Sequence, residues 1–127
     1  MNYIIVIFGA GIGGGLRYFI SDISTKIFPL YFPVGTLIVN VIGSLLLGLL
    51  IFGFDEKELL SQNLKLLLGV GFCGGFTTFS TFGHETVAFM RDGEFLHAVG
   101  NVLIQVIIVL SGVWLGYNVT RYVGGAQ

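Results

Sequence analysis

The chain has 127 residues, 54% of them hydrophobic and only 10% charged, with a formal net charge of −1 and a mean hydropathy of +0.91. Ordinary soluble domains carry about one-quarter charged residues, so the composition argues against a water-soluble fold. A lone cysteine, Cys73, excludes an intrachain disulfide and a multi-cysteine metal site, and reads as a small packing residue.

The acidic and basic residues punctuate four apolar stretches, each able to supply about 20 apolar residues, enough for a helix across ~30 Å of hydrocarbon. The alternation expected of a membrane-barrel strand is missing. An all-α membrane protein is therefore expected, one four-helix domain over 1–127 with spans near 2–20, 33–54, 65–90 and 96–121.

The first span opens on Met1-Asn2-Tyr3, without a basic side chain, and is glycine-rich, so no cleavable leader is expected. Tyr3–Phe8 followed by Gly9, Gly11 and Gly14 formally matches a strand plus G-x-G-x-x-G. That dinucleotide fingerprint needs an acid ~20 positions on and alternating strands and helices. Asp22 comes too early and the next acid is Asp55, so a glycine-lined packing face is the better reading. Arg17, near the end of this span, either snorkels to the headgroups or draws anions toward a vestibule.

In the second span Asn40 lies within Gly35–Gly43, with Thr36 its main hydrophilic neighbour. Two roles stay open for it: interhelical hydrogen bonding, or amide contact with an anion or its water.

Gly71 to Phe82 in the third span reads GFCGGFTTFSTF. Glycines and hydroxyls are costly at membrane depth unless buried in protein or lining a pathway, so their concentration locates the function. Gly69, Gly71, Gly74 and Gly75 precede Thr77 and Thr78, which predicts a break in the helix and an ion site at Gly74–Thr78. Beyond it Phe79 and Phe82 share one helical face at i and i+3, with Thr78, Thr81 and Glu85 on an adjoining face. Ring edges are electropositive and hydroxyls donate hydrogen bonds, a combination suited to a small hydrated anion. Glu85, the only acid inside a span, can carry protons, bind a cation or accept from threonine hydroxyls.

In the fourth span Asn101 and Gln105 stand at i and i+4, a short polar face expected to meet the third helix. Small-xxx-small spacings at Gly9/Gly13, Gly11/Gly15, Gly71/Gly75 and Gly112/Gly116 predict close helix contacts. Basic residues divide three against three, Lys57, Lys65 and Arg121 opposite Arg17, Lys26 and Arg91, so the positive-inside rule selects no orientation. Oppositely oriented copies can then pair, and an antiparallel homodimer is expected; a single topology set by other features is the alternative.

GGGLRY at Gly13–Tyr18, GTLIVNVIG at Gly35–Gly43 and GFCGGFTTFSTF at Gly71–Phe82 followed by Glu85 resemble the Fluc (CrcB-type) fluoride channels in order and spacing. The resemblance implies a dual-topology homodimer with two fluoride pathways and a structural sodium ion at the two-fold axis, held by carbonyls of broken third helices. Gly74 and Thr77 match the carbonyl-donating positions, Phe79 and Phe82 the pore phenylalanines, and Asn40 the pore asparagine. Ser80, Thr81 and Glu85 match polar positions along the pathway, to which Gln105 is added here. Two departures stand out: Gly83 where a serine is common, and Val109 and Val113 on a fourth-helix stripe where a hydroxyl is common.

The expected function is passive, fluoride-selective export across a bacterial-type inner membrane by a multi-pass protein that is not an enzyme. Its partners would be fluoride, membrane lipid and a second copy, with no nucleic acid. The main alternative is a small proton-coupled multidrug exporter, which would use an acid in the first span; none precedes Asp22. A non-transporting membrane scaffold is a third possibility.

Overall fold

Residues 1–29 and 31–124 are described by a computed structural model, and among them every regular element is helical. Helix α1 (Asn2–Ile27) runs past position 20, carrying Asp22 and Lys26 as an i,i+4 ion pair at 2.6 Å. It ends at Phe28 (φ −117°, ψ 79°), ahead of Pro29, where proline disfavours helical geometry in the preceding residue. Helix α2 (Val34–Asp55) begins directly after Pro33 and widens over Leu49–Asp55 into π-helical turns.

Helix α3 (62–76) is capped by the Ser61 hydroxyl, which accepts from the Leu64 amide at 3.3 Å, and is π-helical over Lys65–Cys73. Helix α4 (Phe79–Arg91) completes the third span, and α5 (Phe95–Val123) forms the fourth. Each of the four spans is long and apolar enough to cross a bilayer.

Glycine decides which helices approach. Gly9 and Gly13 of α1 are buried against α3, and a Cβ built on Gly75 would stand 2.5 Å from the Ala10 carbonyl oxygen. One on Gly71 would lie 2.9 Å from the carbonyl oxygen of Val6. Helix α5 packs on α2 in the same way: a Cβ on Gly116 would come 2.8 Å from the Leu49 nitrogen, and one on Gly112 3.1 Å from the Ser44 Cβ. Three of the four expected glycine spacings thus act as contact faces. Gly11 and Gly15 do not: a Cβ on either meets nothing within 4 Å.

Among the described residues the largest fully buried side chains are Val39, Phe76 and Asn101, a thin core that includes a carboxamide. The outside is apolar, with Ile4, Ile7, Phe8, Leu96, Leu110 and Trp114 all exposed. Apolar outside and polar within is the distribution that hydrocarbon solvent selects. At one end Tyr31, Phe89 and His97 cluster with centroids 5.3–5.5 Å apart, Phe89 stacked on His97 and Tyr31 tilted or edge-on to both, joining the α1–α2 connection to α4 and α5. At the other, Lys65 pairs with Asp55 and ties α3 to the end of α2.

Candidate functional site

Helical geometry stops at Phe76 and resumes at Phe79. Between them Thr77 (φ −85°, ψ 161°) and Thr78 (φ −152°, ψ 121°) are extended, whereas Gly74 and Gly75 stay helical. An extended pair inside a span frees backbone groups that water cannot reach, at a cost of several kcal/mol for each left unpaired. Side chains answer most of that cost. Thr77 Oγ1 donates back to the Cys73 carbonyl at 2.9 Å, and Thr78 Oγ1 caps α4 by accepting from the Thr81 amide at 3.2 Å.

Asn40 does more. Its Oδ1 accepts from the Thr78 amide at 2.9 Å, and its Nδ2 donates to the Thr78 carbonyl at 3.1 Å. One carboxamide from α2 thereby pairs both backbone groups of Thr78, as a neighbouring strand would. The second Nδ2 hydrogen goes to Gln105 Oε1 at 3.1 Å, joining α5 to the same point. Asn40 is 7% exposed and Gln105 4% exposed.

A cavity of ≈210 Å³ opens beside this junction, walled by Asn40, Phe79, Phe82, Gln105, Val106 and Val109. The two rings are 5.3 Å apart at 41°; Phe82 is buried, and Phe79 is 83% exposed on the outside of the chain. Apart from two carboxamides the wall is apolar. A second cavity of ≈360 Å³ lies along the α3 side of the junction, where Gly74, Thr77 and Thr78 face Gly43, Ser44 and Val113.

Glu85 sits about two turns along α4 from the junction. Thr36 Oγ1 donates to its Oε1 at 2.5 Å, while Oε2 has no partner among the described residues. Both residues border a cavity of ≈190 Å³ shared with Ser21, Ser24 and Thr25. The expected polar face of α5 divides: Asn101 reaches the third span by donating to Thr86 Oγ1 at 3.0 Å, but Gln105 turns to Asn40 on α2.

The expected residues are thus gathered unevenly. Asn40, Gln105, Phe79 and Phe82 share one cavity, whereas Ser80 and Thr81 line none of the three and meet Thr78 Oγ1, at 3.4 and 3.0 Å, on the border of the second. Gly74 and Thr77 border the second cavity and Glu85 the third, while Arg17 lines none of the three and makes no ion pair among the described residues. Of the roles open to Glu85 the structure displays acceptance from a threonine hydroxyl, with Thr36 on α2 as the donor, whereas Thr86 is a residue that sequence reasoning missed. The signal for Thr86 is a hydroxyl within a span, one turn beyond Phe82, whose carbonyl it bonds at 2.8 Å.

Two comparisons bear on this site. Residues 4–117 match the family described as CrcB-like protein, Camphor Resistance (CrcB). The chain is 44% identical over 124 residues to a protein of Pyrococcus abyssi (strain GE5 / Orsay) named fluoride-specific ion channel FluC, covering 93% of this chain and 94% of that one. Proteins of the same name from Coxiella burnetii (strain Dugway 5J108-111) and Shewanella sp. (strain ANA-3) are 42% and 43% identical. The first match covers 95% of this chain and 98% of the relative, the second 91% and 92%. With its four apolar helical spans and a match over most of its length, this chain is a multi-pass membrane protein and belongs to the CrcB family.

Proposed function

We propose that the chain is a passive, fluoride-selective channel and not an enzyme, exporting the ion across a bacterial-type inner membrane. The observation that carries this reading is the cavity in which two phenylalanine rings meet two carboxamides at the interruption of the third span. Ring edges and N–H groups favour an anion without binding it tightly, and a narrow apolar wall offers too few donors to a larger halide. Relatives named as fluoride-specific channels across more than nine-tenths of the chain support this reading over a proton-coupled exporter.

The working unit in this reading is an antiparallel homodimer. Its support is the even division of basic residues and the thin core of a single copy. The carbonyls of Gly74 and Thr77 would hold a structural sodium ion at the two-fold axis. Hard oxygen donors at a helix C-terminus suit a small cation, and Gly74 is exposed with open space around it. Two carbonyls are too few for a closed site, so the second copy supplies the rest. Ser80, Thr81 and Glu85 continue the polar path, and Arg17 draws anions to the vestibule.

Efflux from liposomes followed with a fluoride electrode, with chloride as control, tests the reading. Fluoride should leave vesicles containing the pure protein and chloride should not. Phe82→Ile should abolish the flux while the protein stays assembled; flux at the unmodified rate would remove that ring from the pathway.

A further inference from the structure

The hydrogen bonds at the junction fix more than the backbone. An amide N–H can only donate, so the Asn40 atom that meets the Thr78 nitrogen must be its oxygen; a carbonyl can only accept, so the atom that meets the Thr78 oxygen must be its nitrogen. Asn40 therefore has one permitted orientation, and both its amide hydrogens are committed to protein acceptors. Its nitrogen faces Gln105, so Gln105 must present its oxygen in turn. That leaves Gln105 Nε2, in a side chain only 4% exposed and on the wall of the phenylalanine cavity, with no partner. A buried N–H group without an acceptor is costly, and native structures seldom keep one without a reason.

We propose that Gln105 Nε2 is the direct amide donor to the anion beside Phe79 and Phe82, and that Asn40 acts as a positioning residue whose clamp on Thr78 sets the orientation of Gln105. The inference rests on the channel reading and refines it: the asparagine holds the break and aims its neighbour, and the glutamine touches the ion. The surplus donor is matched to an acceptor that visits and leaves. Neutral carboxamide chemistry also suits transit, because the attraction falls short of that of a fixed positive charge.

The unmodified protein provides the first test. With glutamine and asparagine side chains labelled with ¹⁵N in lipid bilayers, fluoride titration should move the Gln105 side-chain amide signal, and chloride should not. That signal is identified by its loss in Gln105→Met. The Asn40 amide signal should stay where it is. In efflux assays Gln105→Met, close in volume but without the donor, should slow fluoride release about tenfold or more. Asn40→Asp keeps an acceptor for the Thr78 amide but turns Gln105 Nε2 inward onto a carboxylate. It should erase the Gln105 response, and adding Gln105→Met to it should cost nothing further.

The proposal is overturned if the Asn40 signal follows fluoride while that of Gln105 does not, or if Gln105→Met conducts at the unmodified rate. The labelled protein and Gln105→Met decide the matter even if Asn40→Asp does not assemble. Should the unmodified protein release no fluoride at all, the channel reading fails as well; a normal flux with a silent Gln105 overturns this proposal and leaves the channel reading standing.

Discussion

Two neighbouring stretches of the third span meet the rest of the bundle by opposite means. Along α3, Gly71 and Gly75 let its backbone rest on Val6, Gly9 and Ala10 of α1, so the contact is made by omitting side chains. A few residues later, at Thr77 and Thr78, the contact is made by supplying them: Asn40 reaches in to meet a backbone that has left the helix, and Gln105 accepts from Asn40 behind it. The first surface is close-packed, backbone against backbone, and amides in a helix interior already have their own carbonyls. The second satisfies the chain and has a donor to spare. In the channel reading, rigidity and ion handling are thereby separated by about one helical turn.

The difference can be broken from either side. Replacing Asn40 by leucine orphans the Thr78 amide, the Thr78 carbonyl and Gln105 Oε1 together, each worth ~1–3 kcal/mol. Loss of monodisperse protein or a large fall in melting temperature in detergent should follow. A melting point near that of the unmodified protein would mean that the break supports itself. Gly75→Ala forces a methyl against the Ala10 backbone, which cannot swing aside, and should cost about 1–3 kcal/mol in the same assay. Gly11→Ala is the control and the smallest effect: its methyl meets nothing within 4 Å, and the helix gains about 0.5–1 kcal/mol from losing a glycine. Destabilisation there instead would put a second copy against that face of α1.

The sequence exposes the spans through the spacing of charges alone, because hydrocarbon tolerates charge only at its borders. The two extended residues, Thr77 and Thr78, lie inside the glycine- and hydroxyl-rich dozen of the third span. The sequence misleads on detail within that dozen. Gly74 and Gly75 look like the weak point but stay helical, because a glycine's freedom is also what lets one helix lie against another, and Gly75 is used for that. The extended residues are threonines, held so by a partner on α2. Asn101 and Gln105 look like a single polar stripe, yet they face different helices. Periodicity reports which side of a helix a residue occupies and carries no information about which neighbour stands there. The nucleotide-type glycine pattern dissolves for a similar reason: Tyr3–Phe8 is helical, and Gly9 and Gly13 are buried against α3.

The Asn40–Thr78 pairing also bears on how the chain matures in the bilayer. The residue that steadies the interruption lies 38 positions upstream of it, so the second span has already left the ribosome when the third emerges. The receptor for the bend is made before the segment that bends. No proline breaks the third span on its own account, and its shape is acquired by docking onto an earlier neighbour. Insertion and sculpting are then separate events, the one read by the translocon from hydrophobicity, the other completed by the protein itself.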